Sequence, residues 1–298
     1  MIIVKHRFIF LSIAALMVIA SWGAVAYFGL NLGIDFTGGA ILEVGYPSAA
    51  VRPTVAVMKE SLATIERSDI TVQPLGDDSY VMRAKDISVA DKDLITQTVS
   101  ASGTPATVKR FDSIGPSIGS ELGTKALLAI GLVLLLIIAY IAFAFRKVSR
   151  PVASWKYGIA AIIALVHDIS IPIGLFAYLG YVRGAEVNSL FLTALLAILG
   201  LSVSDTIVVF DRIRENLQRR VATTFSDTVG ISLNQTFVRS LNTSLTTLIA
   251  LCGVYFLGGE STKDFALALI VGMAAGTYSS LFIASPLLVL FSGEGKKK

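Results

Sequence analysis

The sequence predicts an α-helical polytopic membrane protein of six transmembrane helices, with a small α+β domain inserted between the first two. Three observations carry this. Of 298 residues, 54% are hydrophobic and only 15% are charged, against roughly 25% charged in an average soluble domain. Six apolar runs reach about 20 residues, the length a helix needs to cross the hydrocarbon. One long polar stretch separates the first run from the second. This composition excludes an ordinary soluble enzyme, a disordered tail and a dedicated nucleic-acid binder. Cys252 is the single cysteine, so no intrachain disulfide and no cysteine-based metal site is expected.

The first span is Phe8–Phe28. Lys5, His6 and Arg7 precede it and Ala24-Val25-Ala26 fits a small-residue cleavage pattern, so a cleaved signal is the alternative. The run is longer than a usual signal core, which favours a retained helix. The second span is Ala126–Phe145, and the third is Tyr157–Tyr181, with His167 and Asp168 inside it. The fourth is Ser189–Phe210 and holds Asp205. The fifth starts between Leu233 and Leu241 and ends near Leu257, and the sixth is Phe265–Phe291.

Lysine and arginine in short loops set orientation. Lys5 and Arg7 precede span one, and Arg146, Lys147, Arg150 and Lys156 separate spans two and three. Arg212, Arg214, Arg219 and Arg220 follow span four, and Lys296, Lys297 and Lys298 follow span six. The opposite short loops hold only Arg183 and Lys263. Both termini are therefore expected in the cytoplasm, and an even number of spans agrees. The chain divides into residues 1–28 (cytoplasmic N-terminus and helix 1), 29–124 (extracytoplasmic domain), 125–291 (five-helix transmembrane domain) and 292–298 (basic cytoplasmic tail). The net charge of +4 resolves into −4 for residues 29–124 and +8 for the rest.

Within the insert, Ile41–Tyr46 reads as a strand. Pro53 opens a helix with Val55, Met58, Leu62 and Ile65 on one face, proline being tolerated in a first turn. Ile70–Leu75 and Tyr80–Lys85 flank Gly76-Asp77-Asp78, a hairpin signal. Ser88 and Asp91 form a capping-box pattern for a helix running to about Ser100. Ala106–Phe111 is the last strand. The order β-α-β-β-α-β is the ferredoxin-like pattern. No pocket is written into this stretch, and a binding or spacer module is the expected role.

Ionisable groups in hydrocarbon are costly and mark functional candidates. Asp205, five residues before Phe210, is placed about 8 Å inside the span end at 1.5 Å per residue. A span starting at Leu233 puts Arg239 at a matching depth of about 9 Å. Gln235, Arg239, Asn242 and Thr246 then share one helical face, and a polar stripe of that kind must avoid lipid. A span starting at Leu241 makes Arg239 a loop residue instead. His167, ten residues into span three, lies about 15 Å deep, and an imidazole there could relay a proton. His167 and Asp168 leave the helix about 100° apart and cannot chelate jointly without other partners, so no metal and no cofactor is expected. A buried interhelical hydrogen bond is the plain alternative. Gly272 with Gly276, and Gly200 with Ser204, suggest close helix packing.

Two stretches go further. Gly33-Ile34-Asp35-Phe36-Thr37-Gly38-Gly39 resembles the GIDFTGG signature of the SecD/SecF family. Residues 202–216 (SVSDTIVVFDRIREN) and 234–244 (NQTFVRSLNTS) resemble its span-four and span-five motifs, and Val166-His167-Asp168 suits its third span. The layout of one span, an exported domain and five spans is similar over essentially the whole chain. This resemblance, to a family within the resistance-nodulation-division superfamily, implies an accessory subunit of the Sec translocase in the cytoplasmic (inner) membrane. It implies SecD as partner, supplied as a separate protein and completing a twelve-helix unit beside the SecYEG channel. It implies proton-motive-force-driven export of a preprotein after SecA has acted. It places Asp205 and Arg239 in the proton pathway, with Arg239 facing SecD. His167, Asp168, Asn242 and Gln235 are the further pathway candidates. Gly33, Asp35, Gly38 and Gly39 form the motif turn, in which glycine permits a tight reversal. Membrane lipid is the surrounding medium and nucleic acid is not a partner.

The rival readings are a small-molecule or lipid exporter of the same superfamily and a purely structural translocase subunit. An intramembrane hydrolase is more remote: Ser170 shares a face with His167, with no further support for a nucleophile–base pair.

Overall fold

The computed structural model describes residues 2–48, 52–100, 105–146 and 152–294. The chain forms two compact units, Met1–Asn31 with Leu128–Lys298, and Leu32–Leu127. In chain order the elements are α1 (Ile2–Lys5), α2 (Arg7–Phe28), α3 (Ile34–Thr37), β1 (Gly39–Gly45), α4 (Val55–Ala63), β2 (Thr71–Leu75), β3 (Ser79–Ala84), α5 (Val89–Ser100) and β4 (Thr107–Ile114). Then follow α6 (Pro116–Ala144), α7 (Ser154–Arg183), α8 (Ser189–Gln218), α9 (Phe225–Leu257) and α10 (Glu260–Ser279). A π-helical turn, Ser280–Ala284, joins α10 to α11 (Ser285–Ser292).

Six helices are long and apolar enough to cross a membrane: α2, α6, α7, α8, α9 and the α10–α11 rod over Thr262–Ser292. In the helical unit α7 and the α10–α11 rod are largely enclosed, whereas α2 and α6 are mostly exposed. An exposed helix that is apolar all round is at ease only in lipid or against another chain. Lipid tails are as apolar as leucine, so helices are held together by close packing through small residues. Gly174 of α7 backs onto Ser21 of α2, and Gly272 of α10 leaves no room for a Cβ against Ile198 of α8. At one end of the unit Phe145 stacks on Tyr157 at 5.3 Å, and Phe210 stands edge-on to both. At that end Glu294 accepts the N–H groups of Phe225 and Ser226, each at 2.9 Å. This sets an anion on the positive end of the α9 dipole.

The helices outrun the apolar spans. α6 begins at Pro116 rather than Ala126. α8 continues eight residues past Phe210 to Gln218. α9 begins at Phe225, ahead of both Leu233 and Leu241, so Arg239 lies well within a helix. The extension of α8 carries pairs at helical spacing, Arg212–Glu215 and Arg219–Glu215, each at 2.7 Å. Such pairs support a helix in water, where a count of apolar residues sees nothing.

The second unit holds a four-stranded antiparallel sheet in the order β2-β3-β1-β4. Along β1 the alternate residues Ala40, Leu42 and Val44 are fully buried, as the two-residue period of a strand requires. They pack with Met58 and Leu62 of α4 and with Ile95 and Val99 of α5. Ser88 and Asp91 form a reciprocal capping box: each backbone N–H donates to the other's side chain, at 3.0 and 3.1 Å. α4 differs from the expectation. Thr54 is its N-cap, accepting from the Val57 N–H, and Pro53 stands before the helix rather than in its first turn.

Asp78 and Asp91 give this unit an acid dependence. The Ser79 hydroxyl and then the Lys109 ammonium hold Asp78 below the ordinary carboxylate range. The backbone N–H and hydroxyl of Ser88, with Arg67, do the same for Asp91. A depressed folded value contributes stability that is complete above the unfolded value of about 4. That stability is lost as pH falls through the folded values. Hydrogen-exchange protection, taken relative to the intrinsic rate at each pH, should therefore fall at the α5 start and the β2–β3 hairpin below about pH 4, ahead of central β1.

Candidate functional site

The motif turn comes first along the chain. Gly33 precedes the single helical turn α3, and the Thr37 hydroxyl donates to the Gly33 carbonyl at 3.1 Å. Gly38 and Gly39 have φ of 73° and 129°, a region other residues enter only with strain. A Cβ at Gly38 would stand 2.6 Å from Pro116 Cα, and one at Gly39 2.9 Å from the Ala84 carbonyl oxygen. Both glycines are thus required twice, by conformation and by close approach. Asp35 sits half-buried in α3.

In the helical unit a polar layer crosses the bundle. Asp205 is 13 residues from the end of α8 and Arg239 is 14 from the start of α9. His167 is 13 residues from the start of α7. At 1.5 Å per residue each lies about 20 Å along its own helix from that helix's end.

Asp205 and Arg239 line one cleft of about 180 Å³, with Ser202, Thr243, Gly276 and Thr277. They form no ion pair among the described residues. The Asp205 carboxylate is held instead by two hydroxyls: Ser240 of α9 donates to Oδ1 at 2.6 Å, and Ser280 of the π turn donates to Oδ2 at 2.5 Å. One carboxylate thus ties α8 to both α9 and the sixth span. Bonds to an ionised acceptor are stronger than neutral ones, which makes Asp205 a charge-dependent joint.

His167 and Asp168 form a second, fully enclosed cluster. His167 is 2% and Asp168 0% exposed. Although adjacent on α7, they bond to each other, Nδ1 to Oδ1 at 2.9 Å. Asp168 Oδ2 accepts from Ser202 of α8 at 2.5 Å and Ser279 of α10 at 2.7 Å. Pro172, four residues on, has no N–H to offer the Asp168 carbonyl. His167 stacks on Tyr278 at 5.9 Å, and its Nε2 is buried without a hydrogen-bond partner.

The polar face of α9 differs from the expected one. Gln235, Arg239, Asn242 and Thr246 remain exposed on this chain, while Ser232, Thr236, Ser240 and Ser244 turn inward. Gln235 accepts from the Asn216 amide at 2.9 Å. Thr228, Ser232 and Thr236 each donate to the carbonyl four residues back. Ser240, next in the series, donates to Asp205. Sequence reasoning missed Ser202, Ser240, Ser279 and Ser280. For Ser279 and Ser280 the signal was the hydroxyl run Thr277-Tyr278-Ser279-Ser280 inside an apolar span.

Residues 94–294 match the family described as protein export membrane protein SecD/SecF, C-terminal, and residues 27–46 match the SecD/SecF GG motif. The protein translocase subunit SecF of Thermobaculum terrenum is 42% identical, with 98% of this chain and 94% of that protein covered. The subunit of the same name from Anaerolinea thermophila is 40% identical over the same shares. The crystal structure of SecDF, a translocon-associated membrane protein from Thermus thermophilus, superposes with a TM-score of 0.84 at 31% identity. That superposition takes in 98% of this chain, which spans 38% of the SecDF chain. With its glycine turn, its six long apolar helices and relatives matched nearly end to end, this chain belongs to the SecD/SecF family of protein export membrane proteins.

Proposed function

We propose that this chain is an accessory subunit of the Sec protein translocase and that, with SecD, it uses the proton gradient to drive late export of preprotein. The observation that carries the proton part is Asp205: a titratable group in a cleft, joined to two other helices by bonds that depend on its charge. Arg239 in the same cleft supplies a fixed positive charge, and His167–Asp168 is a second station, linked through Ser202 and Ser279. The polar stripe Gln235–Arg239–Asn242 cannot face lipid cheaply. A SecD helix seated on it would remove that cost.

The β-α-β-β-α-β unit is read as a ferredoxin-like extracytoplasmic domain, spanning residues 29–124 and presented to the preprotein beside SecYEG after SecA has acted. Lysine and arginine in the short loops favour cytoplasmic termini in the inner membrane. A non-enzymatic role is favoured by Ser170, whose hydroxyl donates to the Val166 carbonyl and accepts from Trp22. Vesicles holding the channel, this chain and SecD, loaded with a trapped preprotein and then depleted of ATP, should finish export only while the gradient stands. Completion unaffected by an uncoupler would overturn the reading.

A further inference from the structure

Ser279 and Ser280 are adjacent, yet they serve different carboxylates: Ser279 donates to Asp168 and Ser280 to Asp205. Each has the same atom as its nearest alternative acceptor, with the Thr277 carbonyl a longer one for Ser280 at 3.4 Å. The Gly276 carbonyl oxygen lies 3.1 Å from Ser279 Oγ and 2.7 Å from Ser280 Oγ. A hydroxyl has one hydrogen, so each serine chooses between its carboxylate and this carbonyl. The choice sits where regular helix gives way to the π turn Ser280–Ala284. Single π turns recur at functional sites, and hydroxyl bonding to the carbonyl four residues back bends helices.

Resting on the proposed proton role of Asp205, we infer that Ser280 is the positioning residue that converts protonation of Asp205 into a change of the sixth span. With Asp205 ionised, Ser280 donates to Oδ2 and Ser240 to Oδ1, clasping the sixth span and α9 to α8. A proton arriving on Oδ2 turns that oxygen from acceptor into donor. The Ser280 hydrogen then swings to the Gly276 carbonyl, and the new Asp205 O–H donates to Ser280 Oγ. The bond reverses polarity and no hydroxyl is left unpaired. The Gly276 carbonyl, already accepting the Ser280 backbone N–H, takes the extra load, which perturbs the helix at the π turn. Ser279 shares that carbonyl, so the change reaches Asp168. Among the described residues, the charged and titratable groups facing Asp205 are Arg239 from α9 and, through Ser202 and Ser279, Asp168 and His167 from α7; α10 presents Thr277, Met273 and Gly276 to the cleft.

Infrared titration of the purified complex with SecD tests this. The carboxylic-acid band of Asp205 is identified by its loss in Asp205→Asn. Ser280→Ala should displace that band and change its pH response, because a donor to the carboxylate is gone. Ser280→Thr should restore both. Ser240→Ala, on the other oxygen, should also move the titration but leave the Ser280 response intact, and it stands in should Ser280→Ala not assemble. A band present but indifferent to Ser280 and Ser240 overturns the inference and spares the proton reading. Absence of any titrating band lost in Asp205→Asn overturns both.

Discussion

Asp205→Asn should leave the complex assembled while abolishing gradient-dependent late translocation. Asparagine keeps the shape, and its carbonyl oxygen still accepts from Ser240. Ser280 has the Gly276 carbonyl as a ready alternative. The structural loss is about one charge-assisted hydrogen bond, roughly 1.5–3 kcal/mol, a modest loss for a bundle of six long helices. The functional loss is of another kind. One charge moved through 100 mV carries about 2.3 kcal/mol, a bias of about fifty-fold on a two-state equilibrium. An amide carries no proton and forfeits all of it. Asp205→Glu should keep part of the activity, since it stays titratable with a displaced carboxylate. Preprotein completion in vesicles, alongside recovery of intact complex, reads both. A purely structural subunit would export normally in Asp205→Asn.

Gly272→Val should both destabilise the helical unit and stop export. A Cβ at this position overlaps the buried Ile198 side chain, including Cγ1 and Cγ2 near its root, so α10 must back away from α8. Overpacking of this sort costs about 1–3 kcal/mol. The displaced surface is the one that brings Ser202 and Ser279 together on Asp168. Ile198→Ala in the same chain should recover much of the loss, because it vacates the contested volume. Gly200→Val is the control, since its Cβ meets nothing within 4 Å. Thermal unfolding in detergent and vesicle export should rank the three variants in that order. Equal behaviour at 272 and 200 would remove Gly272 from the packing account.

The spans were legible because about 20 apolar residues have few other uses. Their ends were not, since Arg212, Glu215 and Arg219 continue α8 through side-chain pairing that hydropathy ignores. The capping box at Ser88 and Asp91 was legible because it is local, needing three residues and no tertiary contact. Asp205 stood out by its cost in hydrocarbon, but its partners did not. Serines are cheap inside a helix, where they can bond their own backbone, so Ser240, Ser279 and Ser280 carry no visible penalty. Arg239 drew the eye as the opposite charge, whereas the carboxylate is met by hydroxyls and the guanidinium stays exposed in the same cleft. The inward face of α9 was not legible for the same reason: Gln235, Arg239 and Asn242 outrank Ser232, Thr236 and Ser240 in polarity, yet the smaller set fits between packed helices.

The most direct test of a proton-carrying Asp205 is proton flux. Sealed proteoliposomes holding the complete complex, with a pH-reporting dye inside and an imposed gradient, should show proton entry through the wild type. Asp205→Asn should reduce that entry to the level of liposomes lacking the complex. Equal flux in the wild type and Asp205→Asn would contradict the account.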